Sequence, residues 1–262
     1  RTVHSIAFFA PKGGSGRRTG LMTVAAGLIE AGHRVGVLDM TEQARTAARI
    51  GQSFITQWED SMVKGGIRAE ELTTIPAWDE ETRQRAMMHF AHSGCTRVLV
   101  DTPKTPNDLI VGMLHRSDVT ILPFTSYMEA TFISDWSFTT NIPNKKVFGL
   151  ATGLTGSAEE QDIHRKAFLG APLLNTELER SDIYPNQLTT GSIFKMTRQQ
   201  QASVDTTALH RAQTTAFALA EELTQLLRWP TPRSYATQAP LATGSQFAHF
   251  HALRNATPGV FH

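Results

Sequence analysis

A glycine-rich loop near the start of the chain holds the residues best suited to chemistry. It joins an apolar run to a helical segment and reads Lys12-Gly13-Gly14-Ser15-Gly16-Arg17-Arg18-Thr19. The glycines let the backbone curl so that successive N–H groups point inward, and the next helix directs its positive end at the same place. Backbone geometry alone therefore predicts that this loop binds an anion such as a phosphate group.

The elements that must position this loop follow a regular plan. Over the first 175 residues, short apolar runs alternate with longer helical stretches, which predicts a doubly wound, mainly parallel α/β sheet with crossover helices. The predicted strands are His4–Phe9, Arg34–Leu38, Arg97–Val100, Val119–Leu122, Lys146–Leu150 and Pro172–Leu174. The predicted helices are Arg18–Ala31, Glu80–His92, Thr125–Thr140 and Asp205–Trp229, and the last has apolar residues three and four apart.

Several blocks, in the right order, resemble the ParA/MinD family of P-loop ATPases. The loop resembles the family pattern K-G-G-x-G-K-[ST]-T, including the early lysine that marks the family. The segment Val35–Gln43 resembles the D-x-D-x-Q block, and Val98–Pro103 resembles the D-T-P block. Ile121–Pro123 and Pro172–Glu179 follow the same plan. The resemblance covers residues 4–228 and implies the P-loop NTPase fold.

The resemblance also implies roles for single residues. Lys12 would reach across a nucleotide-sandwich homodimer to the phosphates bound by the second copy, and Asp39 would be a second catalytic residue. Asp101 would organise the magnesium shell. ATP or ADP would be bound by the loop residues Gly13, Gly14, Ser15, Gly16, Arg17, Arg18 and Thr19.

The loop departs from the family pattern where the metal chemistry occurs. Arg17 stands where the family has its second lysine, Arg18 where it has the magnesium-binding hydroxyl, and Thr41 where it has the second Asp of D-x-D. A guanidinium is planar and cannot act as a compact point charge, and magnesium needs a well-formed oxygen shell. The sequence therefore predicts inefficient ATP hydrolysis and leaves magnesium binding open.

Three further segments, Ala31–Val35, Ile55–Trp58 and Leu122–Ser126, resemble the VirC-type accessory ATPases of T-DNA transfer. Three functions fit the family resemblance and the altered loop. The first function is a hydrolysis-impaired, nucleotide-binding adaptor in DNA transfer, partition or polar positioning. The second is an active, DNA-stimulated ATPase with unusual loop arginines, and the third is a structural subunit of a secretion or polysaccharide-export complex.

Composition and charge bound the remaining possibilities. The chain has 262 residues, with 25 Lys and Arg against 24 Asp and Glu, and its single cysteine, Cys95, excludes an internal disulfide framework. No apolar run reaches the length of a membrane-spanning helix, so we expect a cytoplasmic protein. His249 and His251 have no further ligands at metal-binding spacing and are interpreted as surface residues.

The last part of the chain is basic and suggests partners. Lys195, Arg198 and Arg211 are predicted either to face the phosphates of non-specifically bound DNA or to form an ordinary helix surface. We expect a P-loop domain over residues 1–229. Residues 230–262 are expected to form an extended, proline-containing tail on which a protein partner could dock.

Overall fold

A six-stranded parallel sheet forms the centre of the molecule. The computed structural model describes residues 2–50, 53–105, 107–139, 146–169 and 171–228. The strand order is β3-β2-β4-β1-β5-β6, and every neighbouring pair is parallel. The strands are β1 (His4–Phe8), β2 (Val35–Asp39), β3 (Leu72–Pro76), β4 (Arg97–Asp101), β5 (Val119–Phe124) and β6 (Lys146–Ala151).

Helices connect these strands and cover both faces of the sheet. They are α1 (Arg17–Glu30), α2 (Ala44–Ile50), α3 (Phe54–Lys64), α4 (Glu80–His92), α5 (Asp108–Arg116), α6 (Tyr127–Thr139), α7 (Ala158–Lys166), α8 (Ile183–Thr190), α9 (Arg198–Ala202) and α10 (Thr206–Arg228). Side-chain oxygens of Ser53, Asp79 and Asn107 accept hydrogen bonds from the first-turn N–H groups of α3, α4 and α5. These caps fix where the helices begin.

Two apolar cores lie on opposite sides of the sheet. Alternation along β1 sends Ile6 and Phe8 into one core and Ala7 into the other. The first core contains side chains of α1, α3, α8 and α10, and the second contains side chains of α4, α5 and α6. With helices on both faces, every residue of β2, β4 and β5 is buried, as a parallel sheet requires.

The structure confirms the predicted doubly wound fold and corrects one strand. Five predicted strands agree with the observed bounds to within two residues, but Pro172–Leu174 forms only an isolated bridge between Leu173 and Gly149. The sixth strand is instead β3 at the sheet edge, which the sequence analysis missed. Its β-branched residues suit a strand. An edge tolerates Pro76 because its nitrogen lies on the side without a neighbouring strand, whereas the next residue, Ala77, donates to the Asp39 carbonyl oxygen of β2.

The predicted helices are present where the chain is described. Glu80–His92 matches α4, and the predicted helices starting at Arg18 and Asp205 match α1 and α10 to within one residue at their starts. The helix predicted from Thr125 begins at Tyr127. Thr140, Trp229 and residues 230–262, with His249 and His251, lie outside the described residues. None of the described helices is long and apolar enough to cross a membrane.

Candidate functional site

The glycine-rich loop lies at the carboxyl edge of the sheet, between β1 and α1. Gly14 and Gly16 adopt positive φ angles of 87° and 79°, which glycine alone adopts without strain, and Gly16 is the N-cap of α1. A Cβ on Gly16 would overlap the Thr152 hydroxyl, which donates to the Ser15 carbonyl oxygen at 2.9 Å. Thr152 follows β6, so the end of that strand fixes the loop.

The loop has open space at Gly14 and a buried polar group at Ser15. Apart from Gly14 and its two chain neighbours, no described heavy atom lies within 4 Å of the position that a Cβ on Gly14 would occupy. The Ser15 hydroxyl is buried and has no hydrogen-bond partner among the described residues. The N–H groups at the start of α1 have no partners within the helix and carry its positive end. Donors of this kind at a helix N-terminus are suited to an anion such as a phosphate group.

Both arginines of the loop bind Asp101. Arg17 Nε lies 2.7 Å from Asp101 Oδ1, and Arg18 Nε lies 3.3 Å from Oδ2, so each carboxylate oxygen receives a guanidinium donor. Asp101 has no exposed surface, and the Arg17 side chain is 8% exposed. We call these three residues the arginine clamp. Burial raises the pKa of Asp101, and the charges of the two arginines oppose that shift.

A third contact holds Arg18 in the arginine clamp. Its guanidinium carbon lies 4.4 Å from the ring centroid of Phe54, the first residue of α3. The side chain is one-third exposed, so the aromatic face and the carboxylate together select its conformation. Arg18 therefore places a guanidinium group against Asp101 where the family pattern has a hydroxyl group.

Asp39 lies beside the arginine clamp but has a different partner. It pairs in register with Asp101 across β2 and β4, and it is buried. Its Oδ1 accepts hydrogen bonds from the Thr41 amide at 3.0 Å and from the Thr41 hydroxyl at 2.7 Å. Thr41, which stands where the family has its second aspartate, thus donates to Asp39. The negative charge of Asp39 also contributes to raising the pKa of Asp101.

Lys12 lies at the rim of the loop. Its Nζ is 3.9 Å from Glu129 Oε1, and the lysine side chain is 44% exposed. Glu129 is buried, and its other oxygen accepts hydrogen bonds from the amide and the hydroxyl of Thr125. Glu129 could not be singled out from the sequence, because an acidic residue in the first turn of a helix has an ordinary stabilising role there.

A second lysine reaches the loop from the turn after β4, and sequence analysis missed it. A Cβ on Gly13 would lie 2.9 Å from Lys104 Nζ, so this ammonium group lies against the loop backbone. The Lys104 amide donates to Glu42 Oε1 at 3.0 Å. Its position in the sequence could have indicated a site residue, because Lys104 directly follows the Asp101–Pro103 block at the carboxyl end of a strand, where ligands bind in parallel sheets.

The structure brings together most of the residues predicted for the site. One edge of the sheet carries all of the following predicted residues: Lys12, the loop residues 13–18, Asp39 and Asp101. Thr19 lies in the first turn of α1, where its carbonyl oxygen accepts from the Thr23 hydroxyl. Within the described part of the chain, no group of three or more His, Cys, Asp or Glu residues is placed to hold a metal ion.

The arginine clamp does not fit magnesium. Magnesium demands a near-octahedral set of oxygen ligands, and both oxygens of Asp101 already accept from guanidinium groups. The positive charges would also repel the metal ion. In this arrangement each oxygen of Asp101 has a guanidinium donor, and its role as a metal ligand stays a prediction.

The basic residues predicted to face DNA lie near α9 and α10. Lys195 and Arg198 are exposed. Arg211 is 60% exposed, with its Nε 3.5 Å from Glu179 Oε1. The geometry is compatible with both readings of these residues, and DNA contact stays a prediction.

Comparison with known proteins supports the assignment of the fold. The sequence model of the family described as ATPase MipZ matches residues 4–135. The fold is similar to that of the septum site-determining protein MinD complexed with Mg-ADP from Pyrococcus horikoshii OT3 (TM-score 0.58, 14% identity, covering 87% of this chain and 98% of that one). No curated protein sequence matches the chain.

Two further solved structures have the same fold. One is a ParA family ATPase from Chlorobium tepidum TLS (TM-score 0.55, 15% identity, covering 85% of this chain and 99% of that one). The other is the MinC:MinD cell division protein complex from Aquifex aeolicus (TM-score 0.54, 15% identity, 92% and 99%). At these identities the likeness shows the doubly wound fold that the sequence predicted.

Proposed function

We propose, because the chain belongs to the MipZ family of ATPases, that it is a nucleotide-binding, hydrolysis-impaired adaptor in partition, DNA transfer or polar positioning. The arginine clamp is the observation that carries this proposal. Phosphoryl transfer relies on positioning and on metal ions that neutralise developing charge, with little covalent help from the protein. With both oxygens of Asp101 bound to Arg17 and Arg18, this carboxylate is not free to organise such an ion.

The same clamp favours a nucleotide without a metal ion. The two guanidinium groups of the clamp balance the two neighbouring buried carboxylates, Asp101 and Asp39, so no metal ion is needed for that purpose. The amides of Gly13–Gly16 then attract polyphosphate without a metal ion. The loop thus provides a site for ATP or ADP in which binding, and not turnover, is the useful event.

The proposed partners follow from the family resemblance and from the rim of the site. We infer a homodimer in which Lys12, at the loop rim beside Glu129, contributes to the phosphates bound by the second copy. The MinD of Aquifex aeolicus is found in a complex with MinC, and an adaptor of this fold would likewise bind a protein partner. Exposed Lys195 and Arg198 would add salt-sensitive contacts to DNA phosphates.

One observation favours the active ATPase as a second candidate. Asp39 remains buried next to Asp101, and only one of its oxygens is a hydrogen-bond acceptor in the described contacts. Opening of the clamp on DNA would free Asp101 beside it. This candidate predicts phosphate release that DNA stimulates and that Lys12→Ala abolishes.

A nucleotide titration separates the two candidates. We expect the wild-type chain to bind a fluorescent ATP analogue with dissociation constants that agree within about threefold in EDTA and in magnesium, and to release phosphate at the background rate. The double variant Arg17→Lys with Arg18→Thr restores an ammonium and a hydroxyl. We expect its binding to become magnesium-dependent by about tenfold or more.

The control for this experiment changes the same residue types elsewhere. Arg68→Lys with Arg85→Thr alters two arginines that are 68% and 69% exposed and flank the edge strand β3, which β2 and β4 separate from β1, and we expect it to behave as wild type. Tight magnesium-dependent binding and brisk turnover by the wild-type chain would contradict the adaptor and support the active ATPase.

A further inference from the structure

The family pattern has two lysines in the loop, and Arg17 stands in place of the second, so that the loop keeps only the ammonium group of Lys12. The guanidinium of Arg17 is bound to Asp101 on the buried side of the site, with 8% of the side chain exposed. It is therefore withdrawn from the face of the loop where an anion would lie. A compact, multiply donating charge is missing at this position, and the planar guanidinium does not replace it.

Lys104 brings an ammonium group to the same loop from another element. Its Nζ lies against Gly13, where a Cβ would come within 2.9 Å of Nζ and 3.2 Å of Cε. The close approach depends on the absence of a side chain at Gly13. Lys104 is exposed, and no ion pair within 4.0 Å engages its Nζ among the described residues.

Hydrogen bonds to the segments on either side of β4 hold the backbone near Lys104 in place. The Lys104 amide donates to Glu42, in the segment after β2, at 3.0 Å. Two residues earlier, the Thr102 hydroxyl donates to the Phe8 carbonyl oxygen of β1 at 2.7 Å. The turn after β4 is thereby tied to the strands on either side of it, so the long lysine side chain extends from a fixed base towards the loop.

We propose that Lys104 is a phosphate-binding lysine of this site, in place of the lysine lost at position 17. Its ligand is the polyphosphate group of a nucleotide or a free inorganic polyphosphate. With Lys12 at the rim and Lys104 on Gly13, ammonium groups reach the loop from two different segments. The nucleotide form of this inference rests on the proposed function.

The test measures binding in EDTA, so that no metal ion contributes. Fluorescent ATP is titrated into the full chain, and inorganic tripolyphosphate is used as a competitor. We expect Lys104→Ala to weaken both ligands by about tenfold to a hundredfold, because each loses a hydrogen bond to a charged group. We expect Lys104→Arg to lose less, since it keeps the charge. Lys64→Ala, an exposed lysine at the end of α3, serves as the matched control and should bind as wild type.

Each result has a distinct meaning. Equal ATP and tripolyphosphate binding by wild type and Lys104→Ala overturns the role of Lys104 and leaves the proposed function intact. Weaker ATP binding with unchanged tripolyphosphate binding also overturns it, since the contact would then not be to phosphate. Binding of tripolyphosphate alone, dependent on Lys104, supports the inference but contradicts nucleotide binding. No binding of either ligand to the wild-type chain overturns both proposals.

Discussion

At the residue scale, the arginine clamp engages both oxygens of the carboxylate that the family resemblance assigns to the magnesium shell. Asp101 is fully buried and Arg17 almost so, and breaking a buried pair leaves an uncompensated charge. We expect Asp101→Ala to lower the free energy of unfolding by about 3–5 kcal/mol, measured by urea denaturation. Glu81→Ala removes an exposed partner of Arg85 and is the control, with a change within about 0.5 kcal/mol. A loss of under about 1 kcal/mol for Asp101→Ala would mean that the clamp is not structural.

At the element scale, the helix that begins at the loop is positioned by close packing against α10. Gly27 of α1 lies against Ala216, and a Cβ there would overlap the Ala216 carbonyl oxygen and crowd Ala220. We expect Gly27→Ala to lower the free energy of unfolding by about 1–3 kcal/mol, because the backbones must separate. The measurement is again chemical denaturation.

The matched control for Gly27 is another helical glycine, Gly112 of α5. The atoms nearest to a Cβ on Gly112 would belong to the far end of the Arg116 side chain, at 3.4 Å, which is ordinary van der Waals contact. Gly112→Ala should therefore leave the protein as stable as wild type or more stable by up to about 1 kcal/mol, the difference in helix propensity. Equal effects of the two substitutions would show that the contact between α1 and α10 does not position the loop helix.

At the scale of the whole molecule, the two edges of the sheet have different electrostatics. The carboxyl edge carries the loop and its acidic residues, whereas the amino edge brings together His33, Arg97 and Arg228 from three different segments. Burial lowers the pKa of His33, and the positive charges of Arg97 and Arg228 lower it further. Its Nδ1 lies 3.1 Å from the Thr96 hydroxyl.

This arrangement predicts how stability responds to acid. The folded protein resists protonation of His33 more than the unfolded chain does, so the stability that His33 contributes is present above its ordinary pKa of about 6.5 and is lost as the pH falls through the lower folded value. We expect the free energy of unfolding to decrease between about pH 7.5 and about pH 5, and His33→Gln to make that decrease smaller. An unchanged slope in the variant would contradict the assignment.

Much of the molecule could be predicted from local sequence. Apolar periodicity located five of the six described strands and four of the ten described helices (α1, α4, α6 and α10), because burial against a sheet imposes those periods on the local sequence. The edge strand Leu72–Pro76 was not predicted, because its threonines and its half-buried positions give no continuous apolar run. Pro172–Leu174 was wrongly predicted as a strand, since short apolar segments also serve as loops that close a core.

The glycine spacing and the residue types at positions 17, 18 and 41 were enough to predict both an anion cradle and an altered metal site, since backbone curvature and ligand chemistry are local properties. Only the tertiary structure decided which way the arginines point and that Lys104 reaches Gly13. Arg17 and Asp101 are separated by 84 positions and meet because β1 and β4 are neighbours in the sheet. The sequence does not determine the rotamer of a side chain as long as that of Arg18. Its packing against Phe54 and its bond to the buried Asp101 carboxylate leave few rotamers in the folded protein.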